Sequence, residues 1–142
     1  MIRVPATSAN LGPGFDALGM ALTLYVEAGV DGDGRMPDGA RINDDSHPTQ
    51  VAFEKAGGVG RTWATTNIPM GRGLGFSGAA RVAGIVAAEV QQHGTWNANS
   101  SRALEIGTEL ERHADTLPRR LSGELWPRRP VASSACRAPL MW

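Results

Sequence analysis

The sequence predicts a single domain of the α/β (α+β) class, in which helices pack against a sheet. Residues 22–30 alternate apolar and polar side chains with the period of two that is typical of a half-buried strand. Residues 79–90 instead repeat apolar side chains on one face of a helix. A chain of 142 residues has room for one sizeable core, but hardly for two.

The N-terminal third predicts two strands separated by a loop. Ile2 to Pro5 is a short apolar opening that favours a strand, whereas residues 6–16 are rich in turn formers and predict a polar loop. The alternation in residues 22–30 predicts the second strand. Residues 31–46, with their Asp-Gly-Asp-Gly and Asn-Asp-Asp runs, predict an acidic loop.

The middle of the chain predicts a short helix and a third strand. Ser46 is suited to cap a helix over residues 48–56, which Gly57 and Gly58 would end. The threonine-rich segment from Arg61 to Asn67 predicts a strand that leads into a glycine-rich loop.

Two further helices are predicted after this loop. The first begins at Phe76 or Ser77 and ends near residue 93, where Gly94 provides the stop. The second spans residues 101–112, with Asn99 or Ser100 as its cap. Beyond residue 117 four prolines and five arginines follow with no regular period, so we expect residues 1–117 to form the domain and residues 118–142 a divergent, disordered tail.

The composition argues against several classes of protein. Acidic and basic side chains balance at 14 each, which gives no electrostatic reason to expect nucleic acid or an anionic membrane as a partner. The single cysteine, Cys136, excludes an internal disulfide framework and fits a reducing compartment. No apolar run approaches the length of a membrane span. We therefore expect a cytoplasmic protein.

The most informative segment runs from Ile68 to Arg81 and reads IPMGRGLGFSGAAR. Four glycines within it let backbone N–H groups approach an anion, and the following helix directs its positive end at the same point. This arrangement predicts a cradle for the phosphates of a nucleotide.

Other glycine motifs fit this segment less well. Residues 73–78 satisfy G-x-G-x-x-G, but the region 20 residues further on lacks the acidic residue that a dinucleotide site uses. The only lysine, Lys55, lies upstream, which excludes a P-loop. A protein-kinase glycine loop would need a later strand lysine and a His-Arg-Asp loop, and neither is present. A plain turn between strand and helix remains the non-functional alternative.

Three segments together resemble the GHMP small-molecule kinase family. Residues 69–80 are similar to its P-x-x-x-G-L-G-S-S-A-A loop, and residues 109–115 resemble its E-x-E-G-H-x-D-N segment. Residues 4–19, VPATSANLGPGFDALG, resemble the first motif of the subfamily whose substrate is L-homoserine. The three segments occur in the family's order and cover residues 1 to about 117.

The resemblance implies a mixed α/β fold like domain 2 of ribosomal protein S5, in which a mixed sheet packs with helices. It also implies ATP and Mg²⁺ as co-substrates. It implies transfer of the γ-phosphoryl group to the hydroxyl of L-homoserine in threonine biosynthesis, and it leaves a homodimer open as the assembly state. The implied nucleotide-binding residues form one stretch: Pro69, Gly71, Arg72, Gly73, Leu74, Gly75, Phe76, Ser77 and Gly78.

The resemblance also implies the remaining site residues. Ser77 and Glu109 would bind the magnesium ion, which prefers carboxylate and hydroxyl oxygens together with waters. The residues implied to face the amino-acid substrate are Asn10, Asp16, His113 and Asp115. Two alternatives remain: a related kinase that acts on another small alcohol, and a non-catalytic fragment that binds nucleotide.

The chain departs from the family pattern in two places. Phe76 and Gly78 replace a serine and an alanine of the loop, and Arg112 and Thr116 replace a glycine and an asparagine near Asp115. After residue 115 the family's second half does not follow. We expect the chain to represent an N-terminal half, with an end like that produced by a shifted reading frame.

Overall fold

The computed structural model describes residues 1–12, 14–96 and 101–110, with residue 10 and residues 14–17 described by their backbone alone. The strands are β1 (Ile2–Leu11), β2 (Gly14–Val30), β3 (Arg41–Ile42) and β4 (Thr62–Thr66), and the helices are α1 (Pro48–Lys55), α2 (Phe76–His93) and α3 (Ser101–Leu110). The strands form one sheet in the order β1-β2-β4-β3, and every pair in it is antiparallel. The predicted mixed α/β class is confirmed, and among the described strands the sheet is antiparallel rather than mixed.

The polar loop predicted for residues 6–16 is wrong, because most of it is strand. β1 continues to Leu11 and β2 starts at Gly14, so the two form a long hairpin that turns at Gly12. The pairing shifts register between Pro5 and Thr7 and again between Ala9 and Leu11. Such bulges accommodate turn-forming residues without ending the hydrogen-bonded pairing of the two strands. The partner strand still forms hydrogen bonds with most of the backbone N–H and C=O groups.

The expected alternation in β2 is confirmed by the burial of its side chains. Val26 and Ala28 are fully buried, and Leu22, Leu24 and Val30 pack against the same core. β4 occupies Thr62–Thr66 within the predicted segment. The two-residue strand β3, inside the predicted acidic loop, had no signal in the sequence.

The predicted cap of α1 is wrong by one residue. His47 is the N-cap, and its Nδ1 accepts a hydrogen bond of 3.2 Å from the backbone N–H of Thr49. The Ser46 hydroxyl instead donates to a carboxylate oxygen of Asp44 at 2.7 Å. The Ser46 side chain therefore stabilises the preceding turn through Asp44 rather than the start of the helix.

Helices α1 and α2 run in the same direction and pack closely. At one end the ring of His47 contacts the ring of Phe76, and at the other the Gln92 side chain donates to the carbonyl of Ala56 at 3.0 Å. Between these ends a Cβ added to Gly84 would lie 2.2 Å from the carbonyl oxygen of Thr49. Only a residue without a side chain allows this approach.

A buried amide joins α1 to the start of β4. The Gln50 side-chain oxygen accepts from both the N–H and the hydroxyl of Thr62, each at 2.8 Å. Its amide nitrogen donates to Glu54 at 2.7 Å and to the carbonyl of Gly60 at 3.1 Å. The fully bonded Gln50 thereby fixes α1 relative to the strand that leads into the glycine-rich loop.

The predicted helix ends are largely confirmed downstream. α2 begins at Phe76 and stops at Gly94, whose φ of 74° gives the expected left-handed C-cap. α3 covers Ser101–Leu110. The cap candidates Asn99 and Ser100, and the tail of residues 118–142, lie outside the described residues.

Candidate functional site

The glycine-rich loop has left-handed backbone conformations at alternate positions. Gly71, Gly73 and Gly75 have φ angles of 72°, 68° and 67°. Nothing lies within 4 Å of a Cβ built on Gly71 or Gly73, so the backbone conformation and not crowding selects glycine there. Left-handed residues that alternate with others turn successive N–H groups toward one side, which is the arrangement of an anion-binding nest.

The loop ends directly at the N-terminus of α2, the longest of the described helices. Gly75 is the N-cap of the 18-residue α2, and it provides no side-chain capping bond. The first intrahelical bond runs from the N–H of Ala79 to the carbonyl of Gly75, at 3.0 Å. The preceding N–H groups, of Phe76, Ser77 and Gly78, are therefore first-turn donors at the positive end of the helix dipole.

Charge around the loop favours an anion. The first turn of α2 contains no acidic residue. Arg72 lies exposed between two of the left-handed glycines, and Ser77, half-buried, adds a hydroxyl in the first turn of the helix. The loop and the helix start thus combine backbone donors, one cation and one hydroxyl.

The structure brings the first sequence motif against this loop. The backbone N–H of Thr7 in β1 donates to the carbonyl of Leu74 at 3.3 Å. The predicted substrate residues Asn10 and Asp16 lie further along the same hairpin, where Ala9 pairs with Gly19. The hairpin therefore joins the two motifs, although only the backbone of these two predicted residues is described.

The structure does not bring Glu109 and Ser77 together. The Glu109 carboxylate forms an ion pair of 2.5 Å with the ammonium of Lys55, the last residue of α1. This end of α1 lies beside Gln92 of α2, about 22 Å of helix away from Ser77. Within the described residues no three acidic, histidine or cysteine side chains form a group that could hold a metal ion. The predicted His113 and Asp115 lie outside the described part of the chain.

His47 is a residue at the site that sequence reasoning missed. Its ring packs edge-to-face on Phe76, with ring centroids 6.1 Å apart and planes at 78°. Burial lowers the pKa of His47 below its ordinary 6.5, and the Asp44 carboxylate opposes this shift more weakly. The only signal in the sequence was the His-Pro pair at the start of a helix, because proline is favoured in the first turn.

A separate cavity of about 750 Å³ opens at the opposite end of α2. Its apolar wall includes Ile2, Val30, Val90 and Trp96, and Arg35 contributes to its polar rim. Its position near the C-terminus of α2 separates it from the glycine-rich loop.

None of the described helices is long and apolar enough to cross a membrane.

Comparison with known protein sequences finds relatives that are named homoserine kinase. No protein-family profile matches the chain. A homoserine kinase from Clavibacter michiganensis is 39% identical over 140 residues, which cover 87% of this chain and 44% of the relative. A homoserine kinase from Streptomyces avermitilis is 42% identical over 138 residues, covering 86% and 45%. The chain thus spans less than half the length of the curated relatives it matches.

Solved structures show the same relationship. A structure from Listeria monocytogenes that carries the homoserine kinase name matches with a TM-score of 0.63 and 36% identity, covering 82% of this chain and 45% of that one. A homoserine kinase from Cytophaga hutchinsonii matches with a TM-score of 0.53 and 27% identity, covering 84% and 44%. Their folds agree with the antiparallel sheet and helices described above.

Proposed function

Since the chain is homologous to the homoserine kinases of the GHMP family across their N-terminal half, we propose that it forms the nucleotide-binding half of such an enzyme. The reaction is transfer of the γ-phosphoryl group of ATP to the hydroxyl of L-homoserine, which yields O-phospho-L-homoserine and ADP for threonine biosynthesis.

The observation that carries this proposal is the glycine-rich loop and its junction with α2. Three left-handed glycines at alternate positions lead into a helix whose first N–H groups have no side-chain cap. A plain turn between strand and helix does not need this sequence of conformations. Convergent backbone donors at a helix N-terminus are suited to bind and orient a polyphosphate.

The residues of the loop have roles that phosphoryl transfer requires. The transition state gains mainly from positioning and from stabilisation of charge on the phosphoryl oxygens. The N–H groups of residues 71–78 hold the phosphates, Arg72 adds a positive charge, and the Ser77 hydroxyl adds a further polar contact at the helix start. Pro69, Leu74 and Phe76 shape the loop between β4 and α2.

Magnesium, when bound with ATP, neutralises charge on the β- and γ-phosphates. Ser77 fits this ion, because Mg²⁺ in such sites takes few protein ligands and completes its shell with phosphates and waters. Glu109 does not fit in its described position, since its carboxylate is paired with Lys55 at the other end of α1. Its role as a metal ligand remains a prediction, and no step is assigned to it.

The amino-acid substrate is proposed to bind beside the β1–β2 hairpin. The contact between Thr7 and Leu74 supports this position, because it places the hairpin next to the phosphate-binding loop. Asn10 and Asp16 on the hairpin, and His113 and Asp115 beyond α3, are the residues proposed to contact homoserine. A carboxylate suits its ammonium group, and an asparagine can donate or accept.

Nucleotide binding is tested with two matched glycine variants. Gly73→Ala and Gly94→Ala each place a Cβ on a left-handed residue with nothing within 4 Å, with φ of 68° and 74°. Both lose roughly 1–2 kcal/mol of local backbone stability, but only Gly73 lies in the loop. Titration calorimetry with ATP should show at least about tenfold weaker binding for Gly73→Ala and unchanged binding for Gly94→Ala. Equal affinities for the two variants would refute the phosphate cradle.

The reaction is tested by ADP release from the full chain with homoserine, mevalonate and galactose as acceptors. Release that depends on homoserine supports the proposal. Release with another alcohol assigns the chain to a related kinase. ATP binding without turnover of any acceptor identifies a nucleotide-binding fragment, which the short span relative to the homologues makes the second candidate.

A further inference from the structure

The N-termini of α1 and α2 meet through one side chain, His47. Its Nδ1 caps α1 by accepting from the N–H of Thr49, and its ring packs against Phe76, the first residue of α2. The centroid distance of 6.1 Å and the angle of 78° correspond to a favourable edge-to-face pair. Since Phe76 directly follows Gly75, this contact holds the junction between the phosphate-binding loop and its helix.

Both contacts depend on the protonation of the imidazole. A ring whose Nδ1 accepts a hydrogen bond is neutral, with its proton on Nε2. A second proton would turn Nδ1 into a donor that faces the donor N–H of Thr49, so the cap would be lost. Adding charge also makes burial of the ring against Phe76 unfavourable.

The surroundings of His47 keep it neutral at physiological pH. Burial lowers the pKa of His47, and the opposing charge comes from Asp44 in the preceding turn. The first turns of α1 and of α2 contain no acidic residue that would favour the charged ring.

We propose that His47 is a positioning residue for the phosphate-binding loop, and that it fastens the start of α2 to α1 only as a neutral imidazole. This inference rests on the proposed nucleotide site and adds a proton-dependent control of its geometry. Because the fold favours the neutral ring, the contribution of His47 is complete above its unfolded-state pKa. It is lost as the pH falls through the lower folded pKa.

The test compares ATP affinity across pH 5 to 8 for five forms of the full chain: wild type, three single variants and the His47→Asn/Phe76→Leu double variant. His47→Asn keeps a good N-cap acceptor but lacks the ring and the titrating proton. Phe76→Leu removes the partner ring and keeps an apolar side chain. His93→Asn is the matched control, since His93 is exposed at the opposite end of the same helix. Phosphates of ATP titrate in this range too, so affinities are compared as ratios to wild type at each pH.

We expect the ratio of variant to wild-type ATP affinity to depend on pH for His47→Asn but not for His93→Asn. At pH 8, His47→Asn and Phe76→Leu should each bind ATP about threefold more weakly than wild type, and the double variant no more weakly than either. For His47→Asn the ratio should approach one as the pH falls through the lowered folded pKa of His47, because the wild-type ring then becomes charged and loses the same contacts. His93→Asn should match wild type throughout.

Wild-type affinity for His47→Asn at pH 8 would overturn this inference and leave the proposed nucleotide site standing, as would a ratio that stays constant across the pH range. Additive losses in the double variant would also overturn it, because they would show that the rings do not act together. Failure of wild-type protein to bind ATP at any pH would refute the proposed nucleotide site itself, which distinguishes the two conclusions.

Discussion

The backbone N–H of Thr7 donates to the carbonyl of Leu74 across 3.3 Å, which ties β1 to the middle of the glycine-rich loop. These residues are 67 positions apart in the chain, yet each belongs to a segment with its own sequence motif. We expect this bond to transmit ordering of the loop by a ligand to the hairpin proposed to hold the second substrate.

Nucleotide should therefore slow amide hydrogen exchange in both segments together. With ATP at 100 times its Kd, amides that exchange only from the ligand-free form should slow by up to about 100-fold. Exchange measured by mass spectrometry should show this for peptides covering residues 2–11 and 70–78, and no change around Gly94. Protection of the loop peptide alone would show that the Thr7 contact does not couple the two segments.

Gly84→Ala should destabilise the fold although it raises helix propensity. Alanine gains roughly 1 kcal/mol over glycine in a helix, but its Cβ would lie 2.2 Å from the backbone oxygen of Thr49 and 2.9 Å from the nitrogen of Phe53. Backbone atoms cannot swing away, so we expect a net loss of roughly 1–3 kcal/mol, measured as a lower urea midpoint. Increased stability in Gly84→Ala would contradict the close contact of α1 with α2.

Gly29→Ala should disturb the buried indole on the neighbouring strand. Gly29 pairs with Trp63, and an added Cβ would lie 2.7 Å from the indole Cζ2. We expect a loss of about 1–3 kcal/mol in the free energy of unfolding. Trp63→Phe in the same background should recover part of it, because the smaller ring leaves space and removes a buried N–H that has no partner among the described residues. A coupling energy near zero between the two sites would exclude this contact.

The Lys55–Glu109 pair allows the predicted metal role of Glu109 to be separated from its ion pair. Both side chains are largely exposed, so removing the pair should change stability by less than about 1 kcal/mol. Lys55→Met breaks only the ion pair, whereas Glu109→Gln also removes the carboxylate. If Glu109 binds magnesium, the Mg²⁺ concentration needed for half-maximal ATP binding should rise for Glu109→Gln alone. Equal Mg²⁺ dependence in the two variants would assign Glu109 to the ion pair only.

Local patterns were sufficient to predict the elements whose side chains repeat regularly. The alternation along residues 22–30 predicted the buried face of β2, and Gly94 predicted the end of α2. The hairpin arm over residues 6–11 was missed, because its residues favour turns individually and its strand conformation depends on pairing with β2.

The candidate site was likewise predicted only where its features depend on local sequence. The glycine pattern predicted the position of the loop and the start of α2, since left-handed backbone conformations strongly favour glycine. His47 was missed because its two contacts join a helix cap to a residue 29 positions later. The ion pair of Glu109 with Lys55 had no local signal either.

The sequence by itself determined the mixed α/β class, the glycine-rich loop and the resemblance of three ordered motifs, because each depends on residues that are near neighbours in the chain. The tertiary structure alone decided which segments meet: Thr7 with Leu74, His47 with Phe76, and Glu109 with Lys55 rather than Ser77. Long-range contacts such as these depend on how strands pair and helices pack, and no single segment of the sequence specifies that.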